Sequence, residues 1–504
     1  MTARPLARLL LALLTAAAPV VAQDDPTGAP AGEPVVADGV TVPHVDSAPL
    51  GAQGVGAAGL LPPSVTGLPN TLWEGSDASR LARLIAETDP AVPALRALMR
   101  TLMLAEAAPP SPDSGVAHLG ARLDWLFEAG AVDEALAVLE IVGTNEPQLF
   151  ARWADLTLLL GRIEAPCRTL AARPALSDDL GLRVFCIARG GDWSRAALIL
   201  GSAGQIGALP ARRVDLLERY LDPEIHEARG PLQPPVRPTP LEFRLFESVG
   251  EPLPTAPLPL PFAVLDLTGD MGWRAQIVAA ERLARVGALP ANRLLGVYTA
   301  RQPAASGGVW DRVAAFQALE GALASDVPGA VGPALEKAWP QMASAGLLVP
   351  FSTLFARQLA DLPLEGRAAR MAERAALLSP DYRGLAGDLA AGDDATAFLR
   401  AIAGVAPEDY DLAEAPVPDL PHAAAVAAAF APGALPPDGL ADALVETSLG
   451  ETLLRAIGLF SDGMAGNPHS LTEALATLRA VGLEDTARQA ALQAMLLDAE
   501  RARR

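Results

Sequence analysis

Few side chains in this chain have the type and spacing that chemistry needs. The two cysteines, Cys167 and Cys186, are an even pair, and in an oxidising compartment such a pair is expected to close a disulfide. They lack the Cys-x-x-Cys spacing of a redox-active pair, so catalysis is not expected of them. The five histidines, His44, His118, His226, His422 and His469, are scattered, and His226-Glu227 has no second histidine one turn on, so no zinc-protease arrangement forms. Glu408-Asp409-Tyr410-Asp411 lacks the spacing of a calcium loop. No Gly-x-Ser-x-Gly elbow, lysine-bearing phosphate loop or dinucleotide glycine turn occurs. One carboxylate stands out: Glu247, next to Ser248, would serve as a general acid if desolvation raised its pKa.

The elements that must position these residues are helices. Leu119, Leu123, Leu126 and Phe127 recur at three- and four-residue steps, as do Ala135, Val138, Leu139 and Val142 after Gly130. Each run gives a helix one apolar face, and Gly130 supplies the turn between them. The small Ala135 suits close packing of the pair. This unit resembles the tetratricopeptide repeat, with Gly130 and Ala135 at the turn glycine and second-helix alanine, and Pro147 where a repeat closes. Gly191 and Ala196 repeat that spacing, as do Gly482 and Ala487, whereas Gly161 to Ala165 is one residue short. The resemblance implies helical hairpins that bury their apolar faces only by stacking on neighbours, and a groove on the inner helices for a peptide or partner helix.

A second repetition is internal. Trp193, Gly207-Ala-Leu-Pro-Ala and Arg213 return eighty residues further on as Trp273, Gly287-Ala-Leu-Pro-Ala and Arg293. Glycine ends one helix and proline, placed at a first helical position, starts the next. Such reuse favours a solenoid over a closed bundle.

Phe246-Glu247-Ser248 is similar to the Glu-Ser pair of periplasmic lytic transglycosylases, which join a helical superhelix to a catalytic glutamate. That resemblance implies a peptidoglycan-acting enzyme with Glu247 as its acid. The family's following Gly-Leu-Met-Gln stretch is missing here, and proline-rich chain follows Glu247 instead.

Along the chain, residues 1–22 read as a secretory signal peptide, with Arg4 and Arg8 ahead of an apolar run too short to span a membrane comfortably. Residues 23–75, rich in proline, glycine and alanine, are expected to be a disordered leader, with a helix capped at Ser76-Asp77. A helical-repeat block is expected over 76–229, a proline-rich connector over 230–262 with a short helix at Leu241 to Val249, and a second helical block over 263–405. Polyproline docking is the competing reading of the connector. A proline-rich acidic loop over 406–437 and C-terminal hairpins over 438–504, with a capping box at Ser470 to Glu473, complete the chain.

Alanine, leucine and arginine dominate the 504 residues, aromatics are only 5%, and β-branched runs are scarce, so an all-α chain with little room for a large ligand pocket is expected. The net charge of −20 argues against binding nucleic acid or anionic lipid. Lys337 is the single lysine, a compositional bias that carries no role. The reading is therefore an all-α solenoid of tetratricopeptide-like hairpins, exported to the periplasm or beyond in a Gram-negative bacterium and not inserted in the membrane once the signal is cleaved. It would act as a scaffold or adaptor for protein or peptide partners, with no enzymatic activity, cofactor or metal.

Overall fold

Glycines in the left-handed region mark where one helix hands over to the next. In the computed structural model Gly130 has φ +77°, and Gly161, Gly191, Gly207, Gly287 and Gly482 take similar positive values. A Cβ at Gly130 would also lie 2.8 Å from Leu283, so that turn needs glycine for space as well as for conformation. The model describes residues 54–504 except 269–270, 326, 328, 390–391, 407–409, 411, 413, 446–447 and 503–504. The signal-peptide reading, most of the leader, His44 and the acidic Glu408, Asp409 and Asp411 therefore lie outside the described residues.

Among the described residues the protein is all-α, with no strand and a single isolated bridge between Leu61 and Ala105. Helices Gly115–Glu128 and Val132–Val142 form the hairpin read from the sequence, and helix Pro147–Leu159 begins at Pro147. Leu119, Leu123, Leu126, Ala135, Val138 and Leu139 are all buried. The same layout recurs at Leu180–Arg189 with Trp193–Gln205 and at Pro468–Ala480 with Glu484–Ala502, where Ala196 and Ala487 have no exposed surface. Asp77 caps its helix as expected, and Asp179 caps helix Leu180–Arg189. Helical hairpins packed on their neighbours thus account for the described chain.

The internal repetition is structural too. Trp193 and Trp273 each open a helix, and Pro210 and Pro290 each precede the next. The prolines sit at the cap itself, one place earlier than the sequence suggests; the Pro210 carbonyl accepts from Arg213 N–H at 2.8 Å. The tryptophans have diverged: Trp273 is buried and donates to the Val297 carbonyl at 2.8 Å, whereas Trp193 is 46% exposed beside Tyr220.

Two expectations need correction. Residues 54–75 belong to the packed body, because Leu72 and Trp73 have no exposed surface. Arg122, also fully buried, ties that segment down by donating to the carbonyls of Met103 (2.9 Å), Ala105 (2.8 Å) and Gly56 (3.4 Å). The 230–262 connector packs on the body: Leu253, Leu258 and Phe262 are buried, and helix Pro240–Ser248 packs on helices Pro147–Leu159 and Ala211–Leu221. Arg244 on that helix donates to the Leu158 carbonyl at 2.7 Å and to that of Leu159, which satisfies the exposed end of helix Pro147–Leu159. Within 406–437, Ala423–Phe430 forms a helix packed on Pro468–Ala480, since its alanines bury closely despite the flanking prolines. A smaller change concerns Ser470: Asn467 is the cap, accepting from Ser470 N–H.

The described helical series does not run open-ended. Helix Glu484–Ala502 packs on helix Pro93–Leu104 and on helices Gly366–Leu378 and Asp394–Ala403, while helix Leu449–Met464 packs on Ala78–Glu87. Gly450 N–H donates to the Leu72 carbonyl at 2.8 Å, and Arg80 pairs with Glu451 at 3.2 Å. One buried apolar core runs from Ala58 to Leu496.

Candidate interaction site

The first helices of successive hairpins share a face that carries charge across the repeat block. On helix Pro147–Leu159, Arg152 grips Asp124 of helix Gly115–Glu128 through two hydrogen bonds of 2.7 Å, which fixes both side chains. One turn on, Asp155 makes no hydrogen bond or ion pair among the described residues. Asp155 is exposed.

Asp179 and Arg213 continue the row at 3.7 Å. Glu242 closes it, holding Arg212 at 3.0 Å while accepting the Thr239 N–H in a capping box that starts helix Pro240–Ser248. The Asp124 and Asp179 carboxylates of the row face solvent, whereas that of Glu242 is buried. Sequence reasoning missed Asp155 and its neighbours because they are unremarkable surface charges until the stacking of helices aligns them.

The residues named from sequence fall into two groups. Gly130, Ala135, Leu139, Gly191, Ala196, Gly482 and Ala487 are turn and packing positions. Cys167 and Cys186 are joined by a disulfide between helices Glu164–Ala172 and Leu180–Arg189. Glu247 is separate from both. It is about half exposed and accepts from Arg244 at 2.7 Å. Ser248 donates its hydroxyl back to the Arg244 carbonyl.

The histidines are likewise placed apart. His118 is buried against Trp73, ring centroids 4.9 Å apart, His422 pairs with Asp498 at 2.9 Å, and His469 with Glu473 at 3.1 Å. Among the described residues no cluster of His, Cys, Asp and Glu could hold a metal ion, and no helix is long and apolar enough to cross a membrane.

Three cavities line the seams where distant helices meet. One of about 700 Å³, largely apolar, lies between helices Ala78–Glu87 and Leu449–Met464. Two others, of about 430 and 500 Å³, adjoin at Ala343, Ser344 and Glu500. The chain matches no protein-family model, no curated protein and no solved structure.

Proposed function

We propose that this protein is an exported helical-repeat scaffold or adaptor, and that it binds a protein or peptide partner along the charged face of its first helices. The observation that carries this reading is the row from Asp124 to Glu242, in which Asp155 is left unpaired beside fixed charges. A partner helix or extended peptide laid across the row would meet both signs of charge and would find Asp155 free to accept from it. The Cys167–Cys186 disulfide is compatible with an extracytoplasmic site of action. Nothing about Glu247 favours a peptidoglycan-cleaving enzyme over this scaffold.

The test is photo-crosslinking in the native cell. A benzophenone amino acid replacing Ala151, one turn before Asp155 on the same face, should yield a discrete protein adduct that Asp155→Lys abolishes. The same probe at exposed Ile141 on the second helix should not. Identical adducts at both positions, or none at Ala151, would overturn the reading. So would release of muropeptides from cell wall that is lost in Glu247→Gln.

A further inference from the structure

The two adjoining cavities gather positive charge in a chain whose net charge is −20. Arg96, Arg285 and Arg501 line one, and Arg367, Arg370 and Arg374 line the other; Glu500, shared by both, is the single acidic side chain among the lining residues. The six arginines come from four separate parts of the chain, brought together where helix Glu484–Ala502 closes against helices Pro93–Leu104 and Gly366–Leu378. Nearly every cation in this protein is arginine, so the residue type carries no argument. Their convergence does.

Local partners leave much of that charge over. Glu500 pairs with Arg374, Asp89 with Arg96 at 3.1 Å and Asp498 with Arg501 at 2.6 Å. Arg285 donates its Nε–H only to the Ala345 carbonyl. Arg367 and Arg370, exposed and one turn apart, make no hydrogen bond or ion pair among the described residues. Across from them the wall is apolar, formed by Trp339, Pro340 and Ala343. Trp339 is 1% exposed, and its indole N–H is buried without an acceptor.

We propose that this cleft binds a carboxylate-rich peptide segment in extended form, a site separate from the row at Asp155 and independent of it. The combined volume is in the range that takes a ligand of several residues rather than one small anion. Arg367 and Arg370, with Arg285 from a distant helix, would engage successive carboxylates, each guanidinium offering a two-point match. Arg367 and Arg370 make the first contacts, and exposed Pro340 on the facing wall packs against the aliphatic stems of the bound side chains. The overall negative charge disfavours nucleic acid, which presents a continuous phosphate backbone to the whole surface.

The experiment is fluorescence anisotropy with fluorescein-labelled deca-glutamate and the purified full chain. Saturable binding that weakens with added salt is expected. Arg367→Glu/Arg370→Glu should weaken it at least roughly tenfold, while Arg293→Glu/Arg301→Glu, which changes net charge equally at exposed sites outside the cleft, should leave it within about twofold. Absence of binding, or equal loss in both double variants, would overturn the site. Displacement by inorganic phosphate at the same concentration of anionic groups would replace the peptide with a small anion and also refute it. Because the Ala151 crosslink reads a different face, loss of either result leaves the other interpretable.

Discussion

Gln493 accepts the amide N–H of Ala94 through its side-chain oxygen at 2.7 Å, in a buried contact between residues 399 apart in sequence. Ala94 is the second residue of helix Pro93–Leu104, where a backbone N–H has no partner within its own helix. The last helix therefore caps one of the first. Gln493→Ala should leave that N–H buried and unsatisfied, at a cost of about 1 to 3 kcal/mol read from the urea midpoint. An unchanged midpoint would mean that water substitutes for the lost oxygen.

The same closure makes Gly450 intolerant of a side chain. A Cβ there would fall 2.4 Å from the Trp73 indole and 2.7 Å from the Leu72 carbonyl, and backbone cannot move aside cheaply. Gly450→Ala should destabilise by about 1 to 3 kcal/mol through overpacking. The matching change at Gly458, where a Cβ meets nothing, should be neutral or better, because alanine favours helix; thermal melts of the two variants separate the effects.

Acid should loosen the N-terminal packing through His118. Burial, aided by the Arg122 charge, lowers its pKa to about 3, and neither ring nitrogen has a hydrogen-bond partner. The unfolded chain takes up that proton near pH 6.5 while the folded chain does not. The stability it protects is thus complete above about pH 6.5 and falls by about 1.4 kcal/mol per pH unit as the pH drops toward 3. His118→Phe keeps a ring against Trp73 and should remove that slope from the difference curve measured between about pH 5 and 6.5. Parallel curves for the two proteins would show that His118 does not set it.

The disulfide closes a short loop between helices Glu164–Ala172 and Leu180–Arg189, with Cα atoms 4.9 Å apart and a sequence separation of 19. Cys167→Ser/Cys186→Ser should cost about 3 kcal/mol in the chain-entropy account. Non-reducing mass spectrometry of the unfolded protein should find neither cysteine open to alkylation.

Local features were legible in the sequence and distant ones were not. Gly130, Ala135 and Leu139 announce their hairpin because turn conformation and i, i+4 burial are written over a dozen consecutive residues. The Asp77 cap and the Cys167–Cys186 pair were readable for the same reason. The contact of Gln493 with Ala94 has no local trace, nor does the convergence of Arg96, Arg285 and Arg370, because spacing along a helix says nothing about which far helix it meets. Proline and glycine content misled at Trp73 and at Ala423–Phe430, where one buried aromatic, or a run of alanines, outweighs a composition typical of unpacked chain. Asp155 lay between these cases, its helix foreseen and its charged neighbours not.

A consequence for biogenesis lies in the way helix Glu484–Ala502 covers helix Pro93–Leu104. A nascent chain releases Pro93–Leu104 long before Glu484–Ala502 is made, so that surface must wait, sticky and uncovered, through most of synthesis. An open stack could lose a terminal unit and merely shorten. Here a premature stop near the C-terminus would undo the opposite end, and such truncated chains should be recovered bound to holdase chaperones rather than as a smaller folded product.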